Sequence, residues 1–198
     1  MIFTDGLALS DYGTGVHITN GFVLRNQETG EAVSLPDFVD APLSYNFYSG
    51  DGSENLTGGA RTDIYGTDDD DMLVLTDSGI NLVFAEGGDD DIEGGASIDF
   101  VYGGAGDDVL NGNGGTNFLY GGDGNDILTD GKDGSWLDGG DGDDELYGSN
   151  GENVLLGGAG NDIIYDGNDG SWMEGGDGDD LLYGGGGDDT LDGGAGND

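Results

Sequence analysis

From residue 90 onward an aspartate recurs every 18 residues: Asp90, Asp108, Asp126, Asp144, Asp162, Asp180 and Asp198. Two residues before each stands a glycine, at Gly88, Gly106, Gly124, Gly142, Gly160, Gly178 and Gly196. Five residues before all but the first stands another, at Gly103, Gly121, Gly139, Gly157, Gly175 and Gly193. If each period is one coil, the aspartate turns stack along one edge with their carboxylates in file. Every gap between neighbouring turns is then lined by carboxylate and turn carbonyl oxygens.

Such a gap suits a hard cation. Calcium takes roughly six to eight oxygen ligands in irregular geometry, whereas magnesium demands an octahedron and keeps its waters. The expected metal is therefore Ca2+, with about six ions in the six gaps among seven turns. Each ion would touch the aspartate of one or both flanking turns and carbonyls of the turn glycines, Gly103, Gly121, Gly139, Gly157, Gly175, Gly106, Gly124, Gly142, Gly160 and Gly178 among them. An EF-hand does not fit, because "DDDDMLVL" at 68–75 lacks the sixth-position glycine and the closing glutamate.

The elements that hold this column follow from a shorter period. From Ser49 the chain divides into sixteen complete nine-residue units, and the eighth residue of each is apolar, from Leu56, Tyr65, Val74 and Val83 through to Leu182 and Leu191. Only 34% of all residues are hydrophobic, so the regularity is structural. It predicts a short strand over positions seven to nine with the eighth side chain inward, and a glycine-rich turn over positions one to six. Two units make one coil. Coils about 4.8 Å apart would build an all-β rod on the order of 40 Å long, with a core too thin to hold alone.

Alternate units form the opposite edge, and their sixth positions are mixed: Asp63, Asn81, Asp99, Asn117, Ser135, Asn153, Ser171 and Asp189. Weaker or partial calcium binding is expected there, near Asp63, Asp99 and Asp189. The amides and hydroxyls are expected to hydrogen-bond between coils, and Asp133 and Asp169 offer oxygens off the regular position.

The composition agrees with a cation partner. The 198 residues carry 43 acidic and three basic side chains, Arg25, Arg61 and Lys132, for a formal charge of −40. That excess repels nucleic acid and anionic membranes. There is no cysteine, so metal is the expected staple. The start, "MIFTDGLALSDYG", has no basic segment followed by an apolar run, and no stretch is apolar enough to span a membrane. No H-E-x-x-H helix or G-x-S-x-G elbow is present. The sole histidine, His17, reads as a strand residue, and among 43 acids no single carboxylate pair is informative. No enzymatic activity is expected.

The units "GGAGDDVLN" (103–111), "GGDGNDILT" (121–129), "GGDGDDELY" (139–147) and "GGAGNDIIY" (157–165) resemble the G-G-x-G-x-D-x-U-x nonapeptides of the RTX, or hemolysin-type, calcium-binding repeats. The resemblance covers Ser49 to Asp198. It implies a right-handed parallel β-roll with calcium held between turns, in a secreted, extracellular bacterial protein exported by type I secretion. It also implies folding triggered by calcium on export, since the metal-free carboxylates repel one another. The last unit stops at Asp198 and carries no secretion signal, so the chain reads as a fragment, acting as a monomer or as part of a larger chain.

Two features lie outside the column. Phe100, Phe118, Trp136, Val154 and Trp172 share position seven on one outer face, an aromatic stripe that either binds a carbohydrate or a partner protein or is covered by another segment. Residues 1–48 hold both prolines and an Asn20-Gly21 hairpin signal in "VHITNGFVLRN", and are expected to cap the first coil or to be the remnant of a preceding domain.

Overall fold

The computed structural model describes residues 61–75 and 79–198, together with five earlier strands, Val16–Thr19, Val23–Asn26, Ala32–Ser34, Asn46–Tyr48 and Ser53–Leu56. Among the described residues there is no helix. The chain winds into a β-solenoid of two parallel sheets, one of nine strands and one of eight, and in each sheet every strand neighbours those one coil before and after it.

One coil shows the plan. The long strand Trp136–Asp141 pairs with Phe118–Asp123 below and Val154–Ala159 above, a turn follows, and the short strand Glu145–Tyr147 joins the second sheet. The register steps by 18 residues, as in Leu119↔Leu137↔Leu155 and Leu128↔Leu146↔Ile164. These eighth-position side chains meet between the sheets and form the core. Val83, Leu119, Leu137, Leu155 and Met173 from one sheet face Ile92, Leu110, Leu128, Leu146 and Ile164 from the other, all 0% exposed. Each buried aliphatic contributes about 2 kcal/mol, but only one column per sheet points inward. Leu182 is half-buried and Leu191 is 47% exposed in the final strand Thr190–Ala195.

The structure departs from the expected frame in two ways. In the nine-stranded sheet the strands run on through positions one to three of the next unit, because the glycine pair there carries no side chain and lets adjacent backbones keep their ladder, as in Gly140↔Gly158. And before Ile80 the nine-residue frame slips. Ile64 pairs with Val83 and Leu73 with Ile92, a step of 19. Ile64 and Leu73 are therefore buried, while Tyr65 and Val74 are only half-buried. The cause is a ten-residue unit, Gly66 to Leu75, whose last side chain also turns into the core.

The second-position glycines of the main edge have positive φ, 122° at Gly104 and 114° at Gly140. The coil that holds Asp90 puts Glu86 at this place, with φ 81°, in register with Gly104. A side chain there is strained. Glu86→Gly is expected to stabilise the calcium-bound chain by about 1 kcal/mol, read as a raised midpoint in thermal unfolding; an unchanged or lowered midpoint would refute the strain.

Toward the N-terminus, Val16–Thr19 and Val23–Asn26 pair as an antiparallel hairpin, and Ala32–Ser34 adds a third strand. His17 is a strand residue, as expected. The expected Asn20-Gly21 turn between the first two strands lies outside the described residues. Asn46–Tyr48 already belongs to the nine-stranded sheet, pairing with Arg61–Tyr65. The rest of the expected cap lies outside the described residues.

Candidate metal centre

The turn after each long strand brings the sixth-position aspartate inside, and a ladder of hydrogen bonds holds it there. The backbone N–H of Asp108 donates to Oδ1 of Asp126 (2.8 Å), that of Asp126 to Asp144 (2.7 Å), that of Asp144 to Asp162 (2.8 Å) and that of Asp162 to Asp180 (2.9 Å). Asp90 and Asp198 belong to the same series, Asp90 donating to Asp108 and Asp198 accepting from Asp180. Each carboxylate is thus fixed by the turn one coil before it, and Asp90 through Asp180 are no more than 3% exposed.

The second oxygen is left over. Oδ2 of Asp90, Asp108, Asp126, Asp144, Asp162 and Asp180 is buried with no hydrogen-bond partner. A buried carboxylate oxygen without a partner is costly. The first-position glycines show what surrounds it. A Cβ on Gly121 would run into Asp126 Oδ2 and lie 2.5 Å from the carbonyl oxygen of Gly139; on Gly139 it would meet Asp144 Oδ2 and, at 2.7 Å, Gly157 O; on Gly157 and Gly175 it would meet Asp162 and Asp180, with Gly175 O and Gly193 O at 2.5 Å. Gly103 repeats the arrangement with Asp108 and Gly121 O. Each cradle therefore gathers one orphaned carboxylate oxygen and one carbonyl oxygen of the next coil. The fourth-position glycines, Gly106, Gly124, Gly142, Gly160 and Gly178, have φ of 135–152° and approach the coil below too closely for any side chain.

Burial is the main cause of raised pKa values along the column. Asp90, Asp108 and Asp144 are pushed up to about 7, and Asp126 and Asp162 to about 6. The backbone donors pull these values down, and neighbouring carboxylates add to the rise. A cation in the cradle removes both the desolvation cost and the repulsion. Among the described residues no three acidic or imidazole groups converge on one point, so carbonyls must complete any ligand shell. Carboxylate with carbonyl oxygen, and neither sulfur nor imidazole, is a donor set for calcium.

Asp71 belongs to this column although the sequence pattern does not place it there. Its N–H donates to Asp90 Oδ1 at 2.7 Å, Thr67 bonds its Oδ2, and its Oδ1 is the orphan. The ten-residue unit hides it from an 18-residue search.

The second edge is built differently. The same ladder runs through neutral side chains: Asp99 N–H to Asn117 Oδ1, Asn117 N–H to Ser135 Oγ, Ser135 N–H to Asn153 Oδ1 and Asn153 N–H to Ser171 Oγ, at 2.8–3.0 Å. Interlocking amides and hydroxyls were expected here. Of the weaker candidates, Asp99 is fully buried with both oxygens engaged, Oδ1 by Asn81 and Oδ2 by the Gly95 N–H. Asp189 accepts from the Ser171 N–H at 3.0 Å, and Asp63 stands opposite Leu82, one step off the column. Asp133 and Asp169 are exposed. The carboxylates of this edge with a buried, partnerless oxygen are instead Asp130, which is buried, and Asp166, which is half-buried; the sequence pattern does not single them out because they sit at a first position expected to be glycine.

On the outer faces aromatic rings stack from coil to coil. Phe100 and Phe118 lie 4.7 Å apart and 3° from parallel, and Tyr65, Phe84, Tyr102 and Tyr120 form a parallel row. Their faces are turned on one another, which leaves edges outward. Trp136 and Trp172, separated by Val154, are 36% and 48% exposed.

The model of the RTX calcium-binding nonapeptide repeat family matches the chain in four copies, over residues 65–101, 93–128, 130–164 and 165–198. No curated protein and no solved structure matches it.

Proposed function

Since the chain belongs to the RTX calcium-binding nonapeptide repeat family, we propose that it is a calcium-folded structural module, without catalysis of its own, of a secreted bacterial protein. The file of buried, partnerless carboxylate oxygens carries this conclusion. Without metal the column is a line of desolvated like charges; with metal, binding free energy becomes folding free energy. Seven gaps separate Asp71 from Asp198, and we assign one ion to each. Extracellular modules work at roughly 10⁻⁴–10⁻³ M calcium. The chain would stay unfolded in a low-calcium cytosol, which suits type I export, and fold outside. Carbohydrate or partner binding on the aromatic face has weaker support, since in the position-seven stripe only Trp136 and Trp172 are exposed.

Far-UV circular dichroism of the metal-free chain during a calcium titration, with magnesium in parallel, tests the switch. A coil-to-β transition is expected with calcium alone. A spectrum that calcium leaves unchanged would overturn it.

A further inference from the structure

On the main edge the first and sixth positions share one space. A side chain on Gly139 would collide with Asp144, and from Gly103 to Gly193 a first-position glycine accompanies every sixth-position aspartate of the main edge; Ala85, ahead of Asp90, is the departure. The second edge inverts this pairing twice. Residues 112–147, "GNGGTNFLYGGDGNDILTDGKDGSWLDGGDGDDELY", and 148–183, "GSNGENVLLGGAGNDIIYDGNDGSWMEGGDGDDLLY", are two copies of one double coil. In each, a coil with Gly and Asn at positions one and six (Gly112 and Asn117, Gly148 and Asn153) precedes one with Asp and Ser (Asp130 and Ser135, Asp166 and Ser171).

We propose that the second edge carries two isolated calcium sites of its own, at Asp130 and Asp166, in which the carboxylate enters from the first position and a serine stands where the main edge keeps its aspartate. The assignment rests on the calcium-binding function of the main column. Asp130 is 2% exposed. Its Oδ1 accepts from Ser135 Oγ at 2.6 Å and from Asn117 Nδ2 at 3.5 Å, while its Oδ2 is buried without a partner. Asp166 is half-buried and shares the orphaned oxygen and the amide donor, without the serine bond. Its Oδ1 accepts from Asn153 Nδ2 at 2.9 Å, and its Oδ2 is again a buried orphan.

Donors point at Oδ1, as they do for a carboxylate, and nothing donates to Oδ2. An ionised oxygen shielded from water calls for a cation. Neutral Asn and Ser neighbours separate these carboxylates along the edge, so the two sites are single where the main column is continuous. One carboxylate per site makes them weaker, and they fill after the main column.

The test is the calcium stoichiometry of the full chain by equilibrium dialysis, with circular dichroism on the same samples. Asp130→Asn and Asp166→Asn should each lose one ion and their combination two, all retaining the calcium-induced β spectrum. The swap Asp130→Gly with Ser135→Asp, which moves the carboxylate to the sixth position as on the main edge, should regain the ion. An Asp130→Asn chain that binds as many ions as the parent overturns the proposal. So does a swap that folds with one ion fewer, which also covers the case in which Asp130→Asn misfolds. Failure of the calcium switch itself looks different: the parent chain would bind no ions and show no transition.

Discussion

Gly139→Ala should weaken the roll at the middle of its stack by about 3 kcal/mol, the upper end of what overpacking costs. The added methyl finds no free space in this coil as it stands. It meets Asp144 Oδ2 on one side and the Gly157 carbonyl, 2.7 Å away, on the other. Both groups belong to the cradle, so relief of the clash displaces the atoms that would face calcium. The variant should therefore need more calcium to fold and unfold at a lower temperature. Gly186→Ala is the control. A Cβ there lies 3.5 Å from the nearest atom, Asn168 O, and its φ is not in the left-handed region. That change should stay within about 0.5 kcal/mol of the parent. Equal calcium midpoints for Gly139→Ala and the parent would show that the cradle is not where the metal acts.

In chelator, lowering the pH from 8 to 5 should drive the metal-free chain toward the β spectrum. Asp90, Asp108 and Asp144 titrate at about 7 in the fold, and Asp126 and Asp162 at about 6, against an ordinary 3.8. Between the two values the folded chain holds more protons than the unfolded one. Stability therefore falls as pH rises, is fully present only below about 4, and is lost through pH 6–7. The proton acts as a poor substitute for the metal, cancelling the same buried charge. With calcium the sign reverses, because the ion requires ionised carboxylates, and the calcium midpoint should rise as pH falls below 7. A metal-free chain as unstructured at pH 5 as at pH 8 would contradict the buried column.

The outer rim of the main turns shows how much of such a column is cooperative. Asp107, Asn125, Asp143, Asn161, Asp179 and Asn197 alternate acid and amide, and each backbone N–H from Asn125 onward donates to the side chain one coil before. The amides of Asn125, Asn161 and Asn197 also donate to the acids behind them. Alternation spares this exposed ladder the repulsion that a run of aspartates would suffer. These hydrogen bonds hold Asp143 below its usual pKa, the opposite of the inner column. The two ladders lie one residue apart in sequence, and burial is the main difference between them, with the unbroken run of inner carboxylates adding to it.

The sequence by itself determined the period, the inward eighth position, the parallel stack and the aspartate column, because each depends on a spacing that neighbours within a unit enforce. Gly121 and Asp126 lie five residues apart in the chain and meet in one cradle, so the pattern records them directly. Only the tertiary structure decided what depends on contact between coils. The ten-residue unit from Gly66 moved Ile64 and Leu73 into the core and Asp71 into the column, since register is set by pairing with the coil above. Asp130 Oδ2 and Asp166 Oδ2 are buried without partners because stacked coils close over them. The aromatic row became a set of stacked rings because neighbouring coils bring Phe100 and Phe118 face to face. Spacing along the chain fixes which residues share an edge; the stacking of coils fixes which of their atoms are left without a partner.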